Sequence, residues 1–466
     1  MSSTNLGQLL AEAAQRFGFR DLVSQADEVR AALERGGLAP HEPVHVRVSN
    51  RPQDLAAYLG VWLARGVVVP VLRSSPEGAV AHTQSKTRAR FEVDGELRWL
   101  GNEPPPRRPI LEDAALIVFT SGSSGTPKGA VLSHRAFAGK LAAIQSLLGF
   151  RKHDRTLLVL NISFSFGIWV ALLTLLNGGR LLMRERFSAG SFLDELERES
   201  VTRVAVVPTM MRSLILDLPP QRLQAGSRAL AERGALRQVL IGGETLGKGL
   251  GETLRCLFAP AELIDIYGLT ETSTCDFFLM PEDAERYAGC IGRPAPGVRY
   301  RIADDGELWI SSPFLMNGYL DERGFEPIVD GWLATGDLAR EREPGVVEVG
   351  GRKKELIYRG GNKIAPLEIE FACTAHPKVA AALAVGRSDE RLGERIHALV
   401  VPREPGLRAS ELRSFLAQRL DRYKQPDVLY FAAELPAGRT GKADRGRFSA
   451  MLDAGELTPA EGEGLP

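Results

Sequence analysis

Along the first hundred residues the chain alternates two periods. Segments 5–17 and 27–35 place apolar residues three and four apart, as one-sided helices do. Segments 44–48 and 67–72 are short apolar runs of strand type, with a helical stretch at 54–65 between them. Residues 116–119 form another apolar strand. Short apolar runs at 181–182, 204–207, 239–241 and 263–266 follow, spaced by helical stretches such as 191–199. Strands alternating with helices predict a mostly parallel sheet covered on both faces. From about residue 300 the pattern becomes short strands with Gly and Pro turns (306–310, 345–349), which predicts a β-rich subdomain. After Gly351 come strands at 380–385 and 397–401 and a helix at 410–420, a smaller α+β unit. The Pro-rich 104–109 reads as a connector, and the acidic tail from Asp453 as frayed. The expected fold class is therefore α/β. A large N-terminal domain, 1–352, holds stacked, mostly parallel sheets and the β-rich part; a small mobile α+β domain occupies 353–466.

One stretch could cross a bilayer by length, since 156–179 has no charge. Asn161, Ser163, Ser165 and Gly167 alternate there with Leu160, Ile162, Phe164 and Phe166, a period of two that a membrane helix does not show. A buried strand, turn and helix is expected instead.

Composition narrows the function. In 466 residues, 44% hydrophobic and 25% charged content is that of a folded globular chain. Lys+Arg and Asp+Glu are both 58, so no basic excess exists to bind nucleic acid non-specifically. The four cysteines form no Cys-x-x-Cys pair and no zinc spacing, and the start of the chain lacks a secretory pattern; a cytoplasmic, reducing location is expected.

The strongest chemical signal is Thr120-Ser-Gly-Ser-Ser-Gly-Thr-Pro-Lys-Gly129, directly after the strand at 116–119. Small residues let backbone N–H groups approach an anion, hydroxyls add hydrogen bonds, and Lys128 adds charge. Gly129 stands where a Walker loop needs Ser or Thr, and Gly122 and Gly125 lack dinucleotide spacing. A plain Gly/Ser linker would not carry Thr-Pro-Lys-Gly behind a strand.

This loop resembles the phosphate loop of the acyl-adenylate-forming superfamily, which includes acyl-CoA synthetases, peptide-synthetase adenylation domains and beetle luciferases. Tyr267-Gly-Leu-Thr-Glu-Thr272, Gly306-Glu-Leu-Trp-Ile with Asn317-Gly-Tyr319, Gly331-Trp-Leu-Ala-Thr-Gly-Asp337, Gly351-Arg-Lys-Lys-Glu-Leu-Ile357 with Gly360-Gly-Asn-Lys-Ile-Ala-Pro366, and Pro436-Ala-Gly-Arg-Thr-Gly-Lys442 resemble further family segments, in family order. The resemblance implies an ATP-dependent, AMP-forming acid–thiol ligase. A carboxylic acid is joined to AMP with loss of pyrophosphate, then handed to a thiol, either coenzyme A or the phosphopantetheine of an acyl carrier protein. Carboxylate and α-phosphate are both negative; at 4 Å and an effective dielectric of 20, like unit charges repel by about 4 kcal/mol.

By the resemblance, Lys442 offsets that repulsion. Thr270 and Glu271 act beside it, with Mg2+ on Glu271. Thr120, Ser121, Gly122, Ser123, Ser124, Gly125, Thr126 and Lys128 hold phosphate. Gly243, Glu244, Asp265 and Tyr267 flank adenine, and Asp337 with Arg352 holds ribose. Lys354 is the hinge about which the small domain turns, after which Gly360 and Gly361 line a tunnel for the thiol. Phe164, Phe166, Gly167, Trp169, Met210, Met211, Gly242 and Cys275 would form the acyl pocket. Amino-acid-activating relatives have an aspartate at the position of Gly167, so an α-amino acid is disfavoured; Ser163-Phe164 replaces a Phe-His pair common in acyl-CoA synthetases. Ordinary core is an equal reading for Trp169. A non-catalytic nucleotide-binding protein would not need Lys442, Glu271 and Asp337 together, and nothing specific supports a luciferase. No membrane span and no nucleic-acid partner are expected.

Overall fold

The computed structural model describes residues 5–101, 103–120, 127–320, 328–403, 405–438 and 442–460. Ser121 to Thr126 of the glycine-rich loop, and Arg439 to Gly441 before Lys442, lie outside the described residues. The fold is mixed α/β, with the large sheets N-terminal and a smaller unit at the C-terminus.

Two seven-stranded sheets form the large part. The first runs in the order Gly318–Tyr319, Lys128–Ser133, Ala114–Thr120, Val67–Leu72, Pro43–Val48, Phe91–Asp94 and Glu96–Trp99. Its centre is parallel, because helix Pro52–Leu63 crosses between Pro43–Val48 and Val67–Leu72. The second has Arg293–Pro294, Phe277–Leu279, Glu262–Tyr267, Gln238–Gly242, Arg203–Val206, Arg155–Leu158 and Arg180–Met183, also parallel at its centre. One apolar core joins the two sheets through helices Pro52–Leu63 and Ser165–Leu176. Both helices are apolar nearly all round, which is the composition of an element with no wet face.

The uncharged stretch thus becomes strand Arg155–Leu158, an irregular turn, and helix Ser165–Leu176. Twelve residues rise about 18 Å, short of a bilayer core. Among the described residues no helix is long and apolar enough to cross a membrane. The second predicted helix is longer than its pattern, Arg20–Arg35, and is packed on Pro52–Leu63; at Gly60 an added Cβ would come 2.6 Å from the Ala26 carbonyl oxygen.

An antiparallel sheet of Arg299–Ile302, Glu307–Ser311, Trp332–Glu343, Ile328–Val329 and Val346–Arg352 is the β-rich part. The C-terminal unit has its own sheet, Asn362–Ile364, Ile357–Arg359, Gly393–Pro402, Val379–Asp389 and Val428–Phe431, with its own core. The fraying expected from Asp453 is not seen as far as Ala460. Ala460 N–H donates to the Leu429 carbonyl and Pro459 bridges Tyr430, so apolar contact holds this acidic segment against the sheet.

Candidate active site

The glycine-rich loop joins two antiparallel strands whose last paired residues are Thr120 and Lys128. Beyond them, β-strand Glu262–Tyr267 ends at Tyr267, and a 3-10 turn, Thr270–Thr272, presents Thr270 and Glu271. The two segments meet. Glu271 Oε1 accepts from Tyr319 Oη at 2.7 Å and Thr120 Oγ1 at 3.4 Å; Thr270 Oγ1 lies 3.4 Å from Ser165 Oγ. Burial and the Glu271 carboxylate hold the Tyr319 phenol well above its ordinary range, so Tyr319 stays a donor. Lys128 Nζ sits 5.5 Å from the Tyr319 ring centre. Among the described residues no cation ion-pairs with Glu271. A carboxylate flanked only by hydroxyls is a hard oxygen donor set, and these residues fit Mg2+.

Asp337 is 3% exposed. Its carboxylate accepts from Tyr267 Oη at 2.5 Å and from Arg352 Nε at 3.0 Å. The register that pairs Asp337 with Arg352 across two antiparallel strands makes this contact. Burial raises the Asp337 carboxyl, while Arg352 and the Tyr267 hydroxyl pull it back. A buried carboxylate with acceptor capacity left suits a vicinal diol. Asp265 lies two residues before Tyr267, and burial pushes its carboxyl up to about 7.

Lys442 reaches this cleft from the other domain. A Cβ added at Gly243 would lie 3.2 Å from Lys442 Cε and 3.3 Å from Nζ. Gly243 has φ +86°, a conformation glycine adopts at no steric cost, so the missing side chain both permits the turn and clears the space Lys442 enters. Burial lowers the Lys442 ammonium below its ordinary range; Glu244 opposes this and Arg352 adds to it. Glu244 accepts from Thr209 Oγ1 at 2.5 Å and Arg212 Nη1 at 3.0 Å, which fixes this anion in place. The Arg352 charge is felt by Lys442, Asp337, Tyr267, Tyr319 and Glu271, so these side chains share one electrostatic neighbourhood.

Around Lys354 the chain is gripped from both sides. Lys353 Nζ donates to Asp305 at 2.5 Å and Glu307 at 3.0 Å on the large domain. Glu355 pairs at 2.9 Å with Arg445, which also binds buried Glu370 at 2.7 Å, all on the small domain. Lys354 between them is exposed and ion-pairs with neither side among the described residues. Gly360 and Gly361, φ +56° and +80°, form the two-residue turn of a hairpin whose closing pair is Arg359 and Asn362. In this arrangement the turn is exposed, whereas Lys442 is at the cleft.

The residues of the expected acyl pocket differ in exposure. Trp169 is 0% and Cys275 2% exposed, both within the main core. Trp169 stacks on Phe166 at 5.4 Å and packs edge-on against Phe150. Burial pushes the Cys275 thiol up to about 12, so it is inert as a nucleophile. Met211 is likewise core. Gly167 is set by crowding: an added Cβ would sit 2.4 Å from the Asn161 carbonyl oxygen, so any side chain here requires the backbone to shift. Gly242 similarly faces the Ile266 carbonyl oxygen. Phe164, Phe166 and Met210 keep partial exposure. Tyr319 closes the segment Asn317-Gly-Tyr319 but has no expected role there; Arg212 and Thr209 belong to no short motif, and only the fold brings them to Glu244.

These features define an AMP-forming ligase. Residues 7–98 and 86–320 match the AMP-binding enzyme family, and 368–442 match the AMP-binding enzyme C-terminal domain. An indoleacetate–CoA ligase of Aromatoleum aromaticum is 34% identical over 390 residues, 81% of this chain and 72% of that protein. A sulfoacetate–CoA ligase of Cupriavidus necator is 33% identical over 488 residues, 94% and 93% of the two chains. ATP-bound MatB from Rhodopseudomonas palustris shares the fold, with TM-score 0.81 and 24% identity over 94% of each chain. The chain belongs to the AMP-binding enzyme family.

Proposed function

We propose that the protein activates an organic acid lacking an α-ammonium group as its acyl-adenylate and transfers the acyl group to coenzyme A. The observation that carries this is Lys442, a cation from the small domain buried against Gly243 of the large one. It offsets the repulsion between carboxylate and α-phosphate while they approach. Asp337 orients the nucleotide through the ribose hydroxyls, and Tyr267 and Arg352 hold Asp337 in place. Thr120, Thr270 and Lys128 meet the phosphates. Glu271 would hold Mg2+, which would supply positive charge against the phosphate oxygens.

Thiol attack needs a different surface, because Lys442 occupies the cleft. Rotation about Lys354 withdraws it and brings the Gly360–Gly361 turn inward. Substrate preference rests on Phe164, Phe166 and Met210, a partly exposed apolar and aromatic set, with Glu244 already neutralised by Arg212. No unpaired carboxylate is among these residues to meet an ammonium. Coenzyme A is favoured as acceptor by the two relatives above, both named as CoA ligases.

Acid-dependent exchange of pyrophosphate into ATP tests the first half-reaction across aryl, fatty, short polar and α-amino acids. Exchange with aryl or fatty acids and none with α-amino acids is expected. Product analysis with coenzyme A against a phosphopantetheinylated carrier protein then tests the acceptor. Exclusive loading of the carrier would overturn that half.

A further inference from the structure

Lys140 and Asp276 form a fully buried ion pair that the roles above leave unused, both side chains 0% exposed. Lys140 Nζ donates to Asp276 Oδ1 at 2.8 Å and to the Cys275 carbonyl at 3.1 Å. The other Asp276 oxygen accepts from Thr272 Oγ1, and Asp276 N–H donates to the Tyr267 carbonyl at 2.7 Å. The pair is therefore fastened to Tyr267 and Thr272, the residues that bracket Thr270 and Glu271.

It is also tied to the far side of that turn. Lys140 Nζ lies 5.2 Å from the Phe314 ring centre, and Gly139 leaves the room in which that ring sits. Two residues on, Met316 N–H donates to the Glu271 carbonyl at 2.8 Å. Between the attachments the backbone is forced. Ser273, Thr274 and Cys275 have φ +57°, +77° and +40°, three successive non-glycine residues in the left-handed region. At Gly268 an added Cβ would come 2.2 Å from the Cys275 nitrogen, so the two limbs of the loop touch. Such a bend persists only where its surroundings over-determine it. A buried ion pair gains little stability over apolar packing, so stability alone does not account for it here.

We infer that Lys140 and Asp276 are a positioning pair that holds Glu271 and Thr270 at the angle needed to meet a Mg2+-bound triphosphate. Neither residue touches substrate. The inference rests on the ligase reading above.

The test uses the full chain with Thr272→Val, a near-isosteric loss of one link, and the double variant Lys140→Met/Asp276→Leu, which removes both charges together. Three quantities are read: the melting temperature, the extra thermal shift that ATP with Mg2+ gives over ATP with a chelator, and the Mg2+ concentration that half-saturates adenylate formation. Thiolysis of preformed acyl-adenylate is the control. For the folded double variant the half-saturating Mg2+ should rise about ten- to a hundred-fold, the range for lost outer partners of a metal ligand. The Mg2+-dependent shift should fall and thiolysis should hold. Thr272→Val should move the same way by less. A Mg2+ response equal to wild type in either folded variant overturns the inference, as does an equal fall in thiolysis. Absence of any adenylate formation by the wild type would instead sink the ligase reading.

Discussion

At Gly243 and Lys442 one residue's lack of a side chain is another's working space. Lys442→Ala should slow adenylate formation by about two to three orders of magnitude, the scale for losing a transition-state charge stabiliser. Thiolysis of supplied acyl-adenylate should persist; equal loss in both half-reactions would contradict the division of labour. Burial lowers the lysine, so its charged form gives way as pH rises sooner than an ordinary lysine's. Adenylate formation should accordingly show an alkaline limb below the usual lysine range, absent from the thiolysis profile. Gly167 carries a different expectation. With the Asn161 carbonyl 2.4 Å from any added Cβ, Gly167→Ala should cost about 1–3 kcal/mol as an overpacked site, read as a lower urea midpoint.

Between Val346–Arg352 and Ile357–Arg359 the connection divides its charges: Lys353 is held by Asp305 and Glu307, and Glu355 by Arg445. The rotation proposed above, if centred on Lys354, would leave both grips intact. Lys354→Pro, with φ fixed and no N–H, should leave pyrophosphate exchange within a few-fold while overall product formation falls steeply. Unchanged turnover would rule out the hinge there. Much of this was legible beforehand. The strand before the glycine-rich loop, the 3.6-residue pattern of 54–65 and the ordered motifs all depend on near neighbours in sequence. What escaped depends on direction and distance. Nothing near Gly167 tells that its Cβ vector points at backbone, and the apolar Trp169 serves core and pocket equally well by composition. Lys140 and Asp276, 136 positions apart, read alone as a helix-surface lysine and a loop acid.

Across the whole molecule, pH acts through imidazoles far from the cleft. His45 and His134 are buried, and burial brings each down to about 4. In the unfolded chain each would titrate near 6.5. Below that value the unfolded state binds more protons than the folded one, so stability falls with pH between about 6.5 and 4 and is fully present above. Asp265, raised to about 7, acts in the opposite sense over this window, so the imidazoles are isolated by substitution: between pH 7 and 4.5 the urea midpoint of His45→Gln/His134→Gln should fall less than that of the wild type, and parallel profiles would refute the assignment. Phe371 of the small unit also faces Gly247 of the large one.

The seat of the first helix has its own outcome. Leu6–Phe17 is fastened by the Leu6 N–H to His134 Nδ1 and rests on both Pro52–Leu63 and Ser165–Leu176, so its seat is complete only when the last of these, about 150 residues further along the chain, has been made. At about 5–20 residues per second that is a wait on the order of ten to thirty seconds, with part of its oily stripe uncovered. Newborn chains of this protein should therefore be clients of hydrophobe-binding chaperones early in synthesis, and shed them once helix Ser165–Leu176 emerges.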